Sequence, residues 1–224
     1  MEIDAVSSVI RPLIEERSET FIDYAGKRFL HIMADGERAI WMSERTGWNH
    51  LDLIDLTTGE RRPLTSGDWV VRAVDEVDES KGTIRIRLMG IDPDQDPYHV
   101  HHATISIADG SMTRLTSGDG THELEFSPDG EYYIDRWSRV DRPPVHELRR
   151  GSDGGLVTTL ATADHARLLE TGWQEPERFV AKGRDGETDI WGVIVRPSDF
   201  DPTKTYPVVE HIYAGPHGHF VPKS

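Results

Sequence analysis

The 224-residue sequence has 40 acidic and 25 basic side chains, which gives a formal net charge of −15. A chain this acidic repels a phosphate backbone, so we expect no nucleic-acid partner. It has no cysteine, which excludes a disulfide framework and thiol catalysis, while 36% hydrophobic residues are enough for a folded core.

Signals for membrane insertion or export are not seen in the sequence. No run approaches the roughly 20 apolar residues of a membrane-spanning helix. Residues 1–19 lack the apolar core of a signal peptide. We therefore expect no membrane segment, and the sequence leaves the compartment undetermined.

Short alternating runs separated by turn residues dominate the first two thirds of the chain. Residues 83–88 alternate cleanly and place Ile84, Ile86 and Leu88 on one face, and residues 104–107 and 124–126 behave in the same way. Gly59, Gly110 and Gly130 end the turn sequences Thr-Thr-Gly, Ala-Asp-Gly and Ser-Pro-Asp-Gly, which suit tight hairpins. Regular short strands with frequent turns predict an all-β sandwich, barrel or propeller.

A repeat favours the propeller. The run Leu-Thr-Ser-Gly-Asp at residues 64–68 recurs identically at residues 115–119, and a weaker copy follows at residues 160–164. The first two copies each follow a strand and a turn that ends in glycine. A period of roughly 40–50 residues with four short strands per unit is typical of propeller blades.

The pattern changes near Thr162. Residues 163–170 predict a short helix, with Asp164 near its start and Gly172 just beyond its end. Strands are predicted around residues 179–181, at 190–195 and at 208–213, and the second is apolar enough for a strand buried on both faces. We place a domain boundary between residues 160 and 175.

The end of the chain resembles a known family. Residues 189–197 (Asp-Ile-Trp-Gly-Val-Ile-Val-Arg-Pro) and the run from Tyr206-Pro207 to Tyr213-Ala-Gly-Pro216 are similar to the entry into the hydrolase domain of the dipeptidyl peptidase IV branch of prolyl oligopeptidases. Residues 43–51, 64–71, 120–122 and 126–130 resemble late blades of that branch's propeller. The resemblance covers residues 21–224 and implies a mainly β fold. A partial β-propeller at 1–165 would be followed by the first strands of an α/β-hydrolase domain at 166–224.

Tyr213 is the one candidate catalytic residue. By resemblance, its hydroxyl would donate to the oxyanion that forms when a serine attacks the scissile carbonyl. Without the resemblance, a tyrosine that packs its ring at a strand end would be the simpler interpretation. The sequence contains no Gly-x-Ser-x-Gly nucleophile elbow, and the serine, aspartate and histidine of the triad are absent. The adjacent Glu15 and Glu16 lack the context of the family's amine-binding glutamates and receive no such role.

Other polar clusters are given structural interpretations. His99, His101 and His102 form one histidine group and His217 and His219 another, but no carboxylate or thiol falls at metal-ligand spacing, so both are interpreted as loop histidines. We expect no metal and no cofactor. The mixed charges at residues 135–142 indicate a solvated loop, and the six tryptophans are expected mainly in the core or between blades.

Two functions from different classes follow. The preferred one is a fragment of a serine-type dipeptidyl peptidase, inactive alone, whose intact form would take peptide substrates and could be a homodimer in the periplasm, outside the cell or in the cytoplasm. The alternative is a non-catalytic propeller module for binding. If the hydrolase strands lack their covering helices, Ile190, Val193, Val208 and Ile212 should be poorly buried.

Overall fold

The computed structural model describes residues 1–24, 26–213 and 220–224. The fold is mainly β, and its antiparallel sheets are built from strands that are neighbours in sequence, as in a partial β-propeller. The chain divides into two compact units. Unit 1 comprises residues 1–93 and 100–115, and unit 2 comprises residues 94–99 and 116–224.

Unit 1 holds two four-stranded sheets and a short ribbon. The ribbon pairs β1 (Glu2–Ile3) with β2 (Ile10–Arg11). The first sheet has the order β3 (Leu30–Ile32), β4 (Arg38–Ser43), β5 (His50–Asp55) and β6 (Arg61–Pro63). The second has the order β7 (Val70–Asp78), β8 (Thr83–Met89), β9 (His101–Ser106) and β10 (Met112–Arg114). Each sheet is an antiparallel meander, which is the form of a propeller blade.

The core of unit 1 lies on one face of these strands. Ile84, Ile86 and Leu88 of β8 are fully buried, and Ile105 of β9 is buried opposite Ile84. Because side chains alternate along a strand, this single face packs with Ile40 and Leu51 of the first sheet. The predicted alternation is therefore confirmed.

Hairpin turns close the strands as the sequence predicts. Gly59, Gly110 and Gly130 all adopt positive φ, between +73° and +77°. A carboxylate supports each of the first two turns: Asp55 accepts hydrogen bonds from Thr57 and Thr58, and Asp109 accepts from Ser111. The Thr57 hydroxyl and these backbone donors lower the pKa of Asp55 to about 2.

Gly59 and Gly110 provide a matched test of the turn. Gly59→Ala should lower the free energy of unfolding by about 1–2 kcal/mol, since only the left-handed φ opposes the new Cβ. Gly110→Ala should cost about 1–3 kcal/mol more, because its Cβ would lie 2.8 Å from the carbonyl oxygen of Leu64. Urea unfolding followed by tryptophan fluorescence measures both, and equal losses would contradict the proposed clash.

The sequence repeat has a structural cause. Leu64 and Leu115, which begin the first two copies, directly follow β6 and β10 and are each only 2% exposed. In both copies the glycine carbonyl accepts a hydrogen bond from a histidine: Gly67 from His50 at 2.9 Å, and Gly118 from His122 at 2.9 Å. The third copy differs, because Leu160 lies inside a strand and is exposed.

Unit 2 holds a third four-stranded meander and a hairpin. The meander has the order β11 (Thr121–Phe126), β12 (Tyr132–Arg139), β13 (Arg142–Arg150) and β14 (Leu156–Thr162). A helix, α1 (Ala166–Leu169), leads to β15 (Glu177–Lys182) and β16 (Asp189–Ile194), which pair antiparallel. Among the described residues, no helix is long and apolar enough to cross a membrane.

Three expectations for unit 2 are corrected. The helix spans the four residues Ala166–Leu169 rather than the eight predicted at 163–170. At its start, the Asp164 carboxylate accepts a hydrogen bond from the Ala166 amide. Arg136 and Arg139 lie on β12 and Arg142 begins β13, so the charged stretch 135–142 is mostly strand, not a loop. No strand forms at residues 208–213. A strand needs a paired neighbour, and none of the described residues pairs with this segment.

The apolar residues near the end of unit 2 are poorly covered. Ile190, Val208 and Ile212 are exposed, and Val193 is only half-buried. This agrees with the expectation from the sequence. The β15–β16 hairpin therefore presents an apolar surface that is unusual for a free two-stranded ribbon.

Candidate functional site

Tyr213 lies on an extended segment without regular secondary structure and is 72% exposed. Its ring centroid is 6.0 Å from that of Phe220, whose ring also meets His211 edge-on at 4.7 Å. Within the described ranges, the Tyr213 ring therefore packs beside Phe220 while most of the side chain is exposed. Ala214, Gly215 and Pro216, the rest of the motif, lie outside the described residues.

The site that sequence reasoning missed is an acidic and aromatic cluster in unit 2. The Lys223 ammonium donates to the Asp96 carboxylate at 2.7 Å, and the two side chains are only 6% and 3% exposed. The same ammonium lies 4.9 Å from the Tyr98 ring centroid and 5.8 Å from that of Trp191. A carboxylate and two aromatic faces each attract an ammonium, and together they offset part of the cost of removing it from water.

A cleft of about 240 Å³ adjoins this cluster. Its lining combines carboxylates with apolar side chains: Asp94, Gln95, Asp96, Asp119, Arg178, Phe179, Val180 and Trp191. Arg178 is held by Asp141 at 3.1 Å, and Asp141 also pairs with Arg139. Burial raises the pKa of Asp141, but the Arg139 hydrogen bond and the nearby Arg178 outweigh burial and lower it overall.

His99 stands beside this cleft and is almost completely buried. Its Nδ1 lies 3.3 Å from Asp119 Oδ1, without hydrogen-bond geometry. Burial lowers the pKa of His99, although the negative charges of Asp96 and Asp119 oppose that shift. This favours the neutral imidazole, which carries no net charge into the buried position.

The other members of the first histidine group lie in unit 1. His101 and His102 are buried on β9, so their interpretation as loop histidines was wrong. Their nearest carboxylates are Asp92, at 3.5 Å from His101, and Asp75, at 3.6 Å from His102. Within the described ranges no three His, Asp or Glu side chains are arranged to hold a metal ion. His217 and His219 lie outside those ranges.

A second buried polar cluster joins three strands of the third sheet. His122 Nδ1 donates to Asp135 at 2.9 Å, and Asp135 lies opposite Glu147 on the neighbouring strand. Arg149 bridges the two carboxylates, at 3.4 Å from Asp135 and 2.6 Å from Glu147. Arg149 lies within reach of both carboxylates and His122 donates to one of them, so these polar groups are committed to one another within the sheet.

Glu16 also proves to be structural. Its carboxylate accepts hydrogen bonds from Trp41 at 2.7 Å, Arg45 at 2.6 Å and Arg61 at 3.1 Å. Burial raises the pKa of Glu16, but these donors outweigh burial and lower it overall. The Ser43 hydroxyl donates to the other carboxylate oxygen at 3.1 Å, so four side chains of unit 1 hold Glu16 beside the first sheet.

The Asp96–Lys223 pair had no local signal in the sequence. The two residues are separated by 127 positions, and Asp96 sits in an Asp-Pro turn of the kind found in ordinary loops. Lys223, four residues after His219, likewise has no neighbour in the sequence that marks it as a buried ion-pair partner. Only the fold brings them together.

Comparison with known proteins gives a consistent result. Residues 1–144 match the family model described as the dipeptidyl peptidase IV (DPP IV) N-terminal region. The chain is 27% identical over 165 residues to human dipeptidyl peptidase 8, with 70% of this chain and 18% of that protein covered. It is 28% identical over 184 residues to a probable dipeptidyl peptidase 4 of Aspergillus flavus, with 78% of this chain and 22% of that protein covered.

A solved structure agrees in fold. The crystal structure of Porphyromonas gingivalis dipeptidyl peptidase 4 superposes with a TM-score of 0.59 at 28% identity, over 80% of this chain and 24% of that one. The chain therefore spans about a fifth to a quarter of the length of the relatives it matches.

Proposed function

The chain belongs to the dipeptidyl peptidase IV N-terminal region family, and on that premise we propose that it supplies late propeller blades and the oxyanion-binding Tyr213 to a serine-type dipeptidyl peptidase. Under this proposal residues 1–165 are blades and residues 166–224 enter the hydrolase domain. The substrate is a peptide with a free N-terminus, from which a dipeptide is released, often after proline or alanine.

One observation carries the proposal: the blades that match the family run on, in the same chain, to a Tyr-Pro segment and Tyr213. The hydroxyl of an exposed tyrosine can approach a carbonyl that becomes negatively charged when it is attacked. A donor aimed at that oxygen stabilises the transition state more than the ground state, which is what accelerates the reaction. The poorly covered hairpin residues, such as Ile190, are consistent with a sheet that has further neighbours.

The same proposal predicts that the purified 224-residue chain is inactive. A dipeptidyl-p-nitroanilide should be hydrolysed no faster than in buffer, because Tyr213 has no serine to act with and the sequence has no Gly-x-Ser-x-Gly. Release of p-nitroaniline, followed by absorbance, is the measurement. A complete dipeptidyl peptidase assayed in parallel is the positive control, and robust turnover by the chain itself would refute the predicted inactivity.

The test of the assignment is made on the gene. The DNA on both sides of the codons for Met1 and Ser224 should continue in frame, downstream to a Gly-x-Ser-x-Gly and then to aspartate and histidine codons. Such a frame supports the peptidase. A genuine start before Met1 and a genuine stop after Ser224 would instead favour a binding module, for which the family resemblance describes ancestry.

A further inference from the structure

We propose that Asp96, Tyr98 and Trp191 form a receptor for the Lys223 side chain, and that Lys223 is thereby a positioning residue for Tyr213. The receptor anchors residues 220–224 on unit 2, and Phe220 transmits this restraint to Tyr213. The binding of Lys223 by this receptor is argued from the contacts below, whereas the positioning of Tyr213 for catalysis rests on the proposed function above.

The burial of Lys223 is the first argument. Lysine is seldom buried unless it is paired, because its ammonium must lose water and its long side chain must lose rotamer freedom. Here the Lys223 side chain is 6% exposed and its ammonium meets a carboxylate at 2.7 Å that is itself 3% exposed. The attraction within a desolvated pair of this kind is screened less by water and salt, and is therefore stronger, than the attraction within a pair on the surface.

The aromatic rings are the second argument. Tyr98 and Trp191 come from distant parts of unit 2, the loop at 94–99 and strand β16, yet both rings lie within 6 Å of the Lys223 ammonium. An ammonium is attracted to the faces of both rings while the carboxylate holds its charge. The receptor is thus suited to a compact cation at the end of a long, flexible side chain, which is what lysine provides.

The Phe220 ring connects the anchored segment at Lys223 to Tyr213. Phe220 lies three positions before Lys223 and contacts both His211 and Tyr213. No strand pairing holds residues 208–213, and Tyr213 is 72% exposed. Among the described residues, Phe220 supplies a ring contact to Tyr213, and anchoring Lys223 restrains where Phe220 lies. A hydroxyl that serves an oxyanion needs such a fixed position.

Competitive acetylation of the 224-residue chain, followed by mass spectrometry, tests the anchor. Lys223 should react at least about tenfold more slowly than Lys204, because it must first leave its pocket, whereas the Lys204 side chain is 66% exposed. Asp96→Asn should abolish this protection. Asp94→Asn is the matched control: it removes the same charge from the same loop, at an exposed position, and should leave Lys223 protected.

A second readout tests the link to Tyr213. With tyrosine and phenylalanine selectively labelled, the nuclear Overhauser effect between the Tyr213 and Phe220 rings should be present in the unchanged chain and lost in Lys223→Gln. Lys223 lies outside every described strand, but its substitution leaves the buried Asp96 carboxylate without its cation. Circular dichroism of Lys223→Gln is therefore compared with that of the unchanged chain, and the ring contact is judged in the folded variant.

Each outcome decides a separate part of the inference. Acetylation of Lys223 as fast as Lys204 would overturn the anchor, and equal effects of Asp96→Asn and Asp94→Asn would overturn the receptor. A ring contact that survives in Lys223→Gln would overturn the positioning of Tyr213. Neither measurement uses peptidase activity, so failure here is distinct from failure of the proposed function, which the reading frame decides.

Discussion

Replacement of Asp135 by alanine should lower the free energy of unfolding by about 3 kcal/mol, the lower end of the usual loss when one partner of a buried charge pair is removed. Asp135 is fully buried on β12 and accepts from His122 at 2.9 Å. Its removal takes from the imidazole the hydrogen bonds that it makes to both carboxylate oxygens and leaves a cavity in the sheet.

Arg149 explains why the expected loss is not larger. It contacts both Asp135 and Glu147, so after the substitution it keeps a partner at 2.6 Å. Asp135 and Glu147 also face each other across β12 and β13, and removal of one carboxylate relieves their repulsion. These effects partly offset the lost hydrogen bond to His122.

Urea unfolding followed by tryptophan fluorescence measures the effect, since Trp137 lies beside His122 in the same sheet. Asp153→Ala is the matched control. Its carboxylate pairs with Arg150 on the surface, where both side chains are about half exposed, and surface pairs contribute about 0–1 kcal/mol. If both variants unfolded at the same urea concentration, the buried cluster would have no special part in stability.

The sequence predicted the blades because their signals are local. The alternation of Ile84, Ile86 and Leu88 is a period of two residues, and the turn glycines need a conformation that other residues avoid. The same reasoning failed on β12, where the buried face carries Tyr133, Asp135 and Trp137. A buried carboxylate interrupts the apolar pattern, so a strand was mistaken for a charged loop.

Long-range pairs limit the prediction of the site. Whether an aspartate is a surface residue or a buried partner depends on what the fold brings to it, as Asp96 and Lys223 demonstrate. His101 shows the same limit, since nothing in its neighbours predicted its burial on β9. The strand predicted at 208–213 failed for a related reason, because apolar sequence alone cannot supply the neighbouring strand that pairing requires.

Tyr213 was found through a motif, and its importance can be measured. In the peptidase to which we assign this chain, Tyr213→Phe should lower kcat by about 10²–10³, the usual result of removing one oxyanion donor. KM should change little, because the hydroxyl interacts with charge that develops only after the serine attacks. The phenylalanine ring preserves the contact with Phe220, so the substitution isolates the hydroxyl.

Tyr206→Phe is the matched control, made seven residues earlier in the same segment. Its hydroxyl accepts a hydrogen bond from the Asp201 amide at 2.9 Å, so removing it should weaken the loop by about 1 kcal/mol without a comparable change in kcat. Steady-state hydrolysis of a dipeptidyl-p-nitroanilide by both variants separates the two roles. If Tyr213→Phe kept full kcat, the hydroxyl would have no part in the reaction, and Tyr213 would be a packing residue whose ring alone matters.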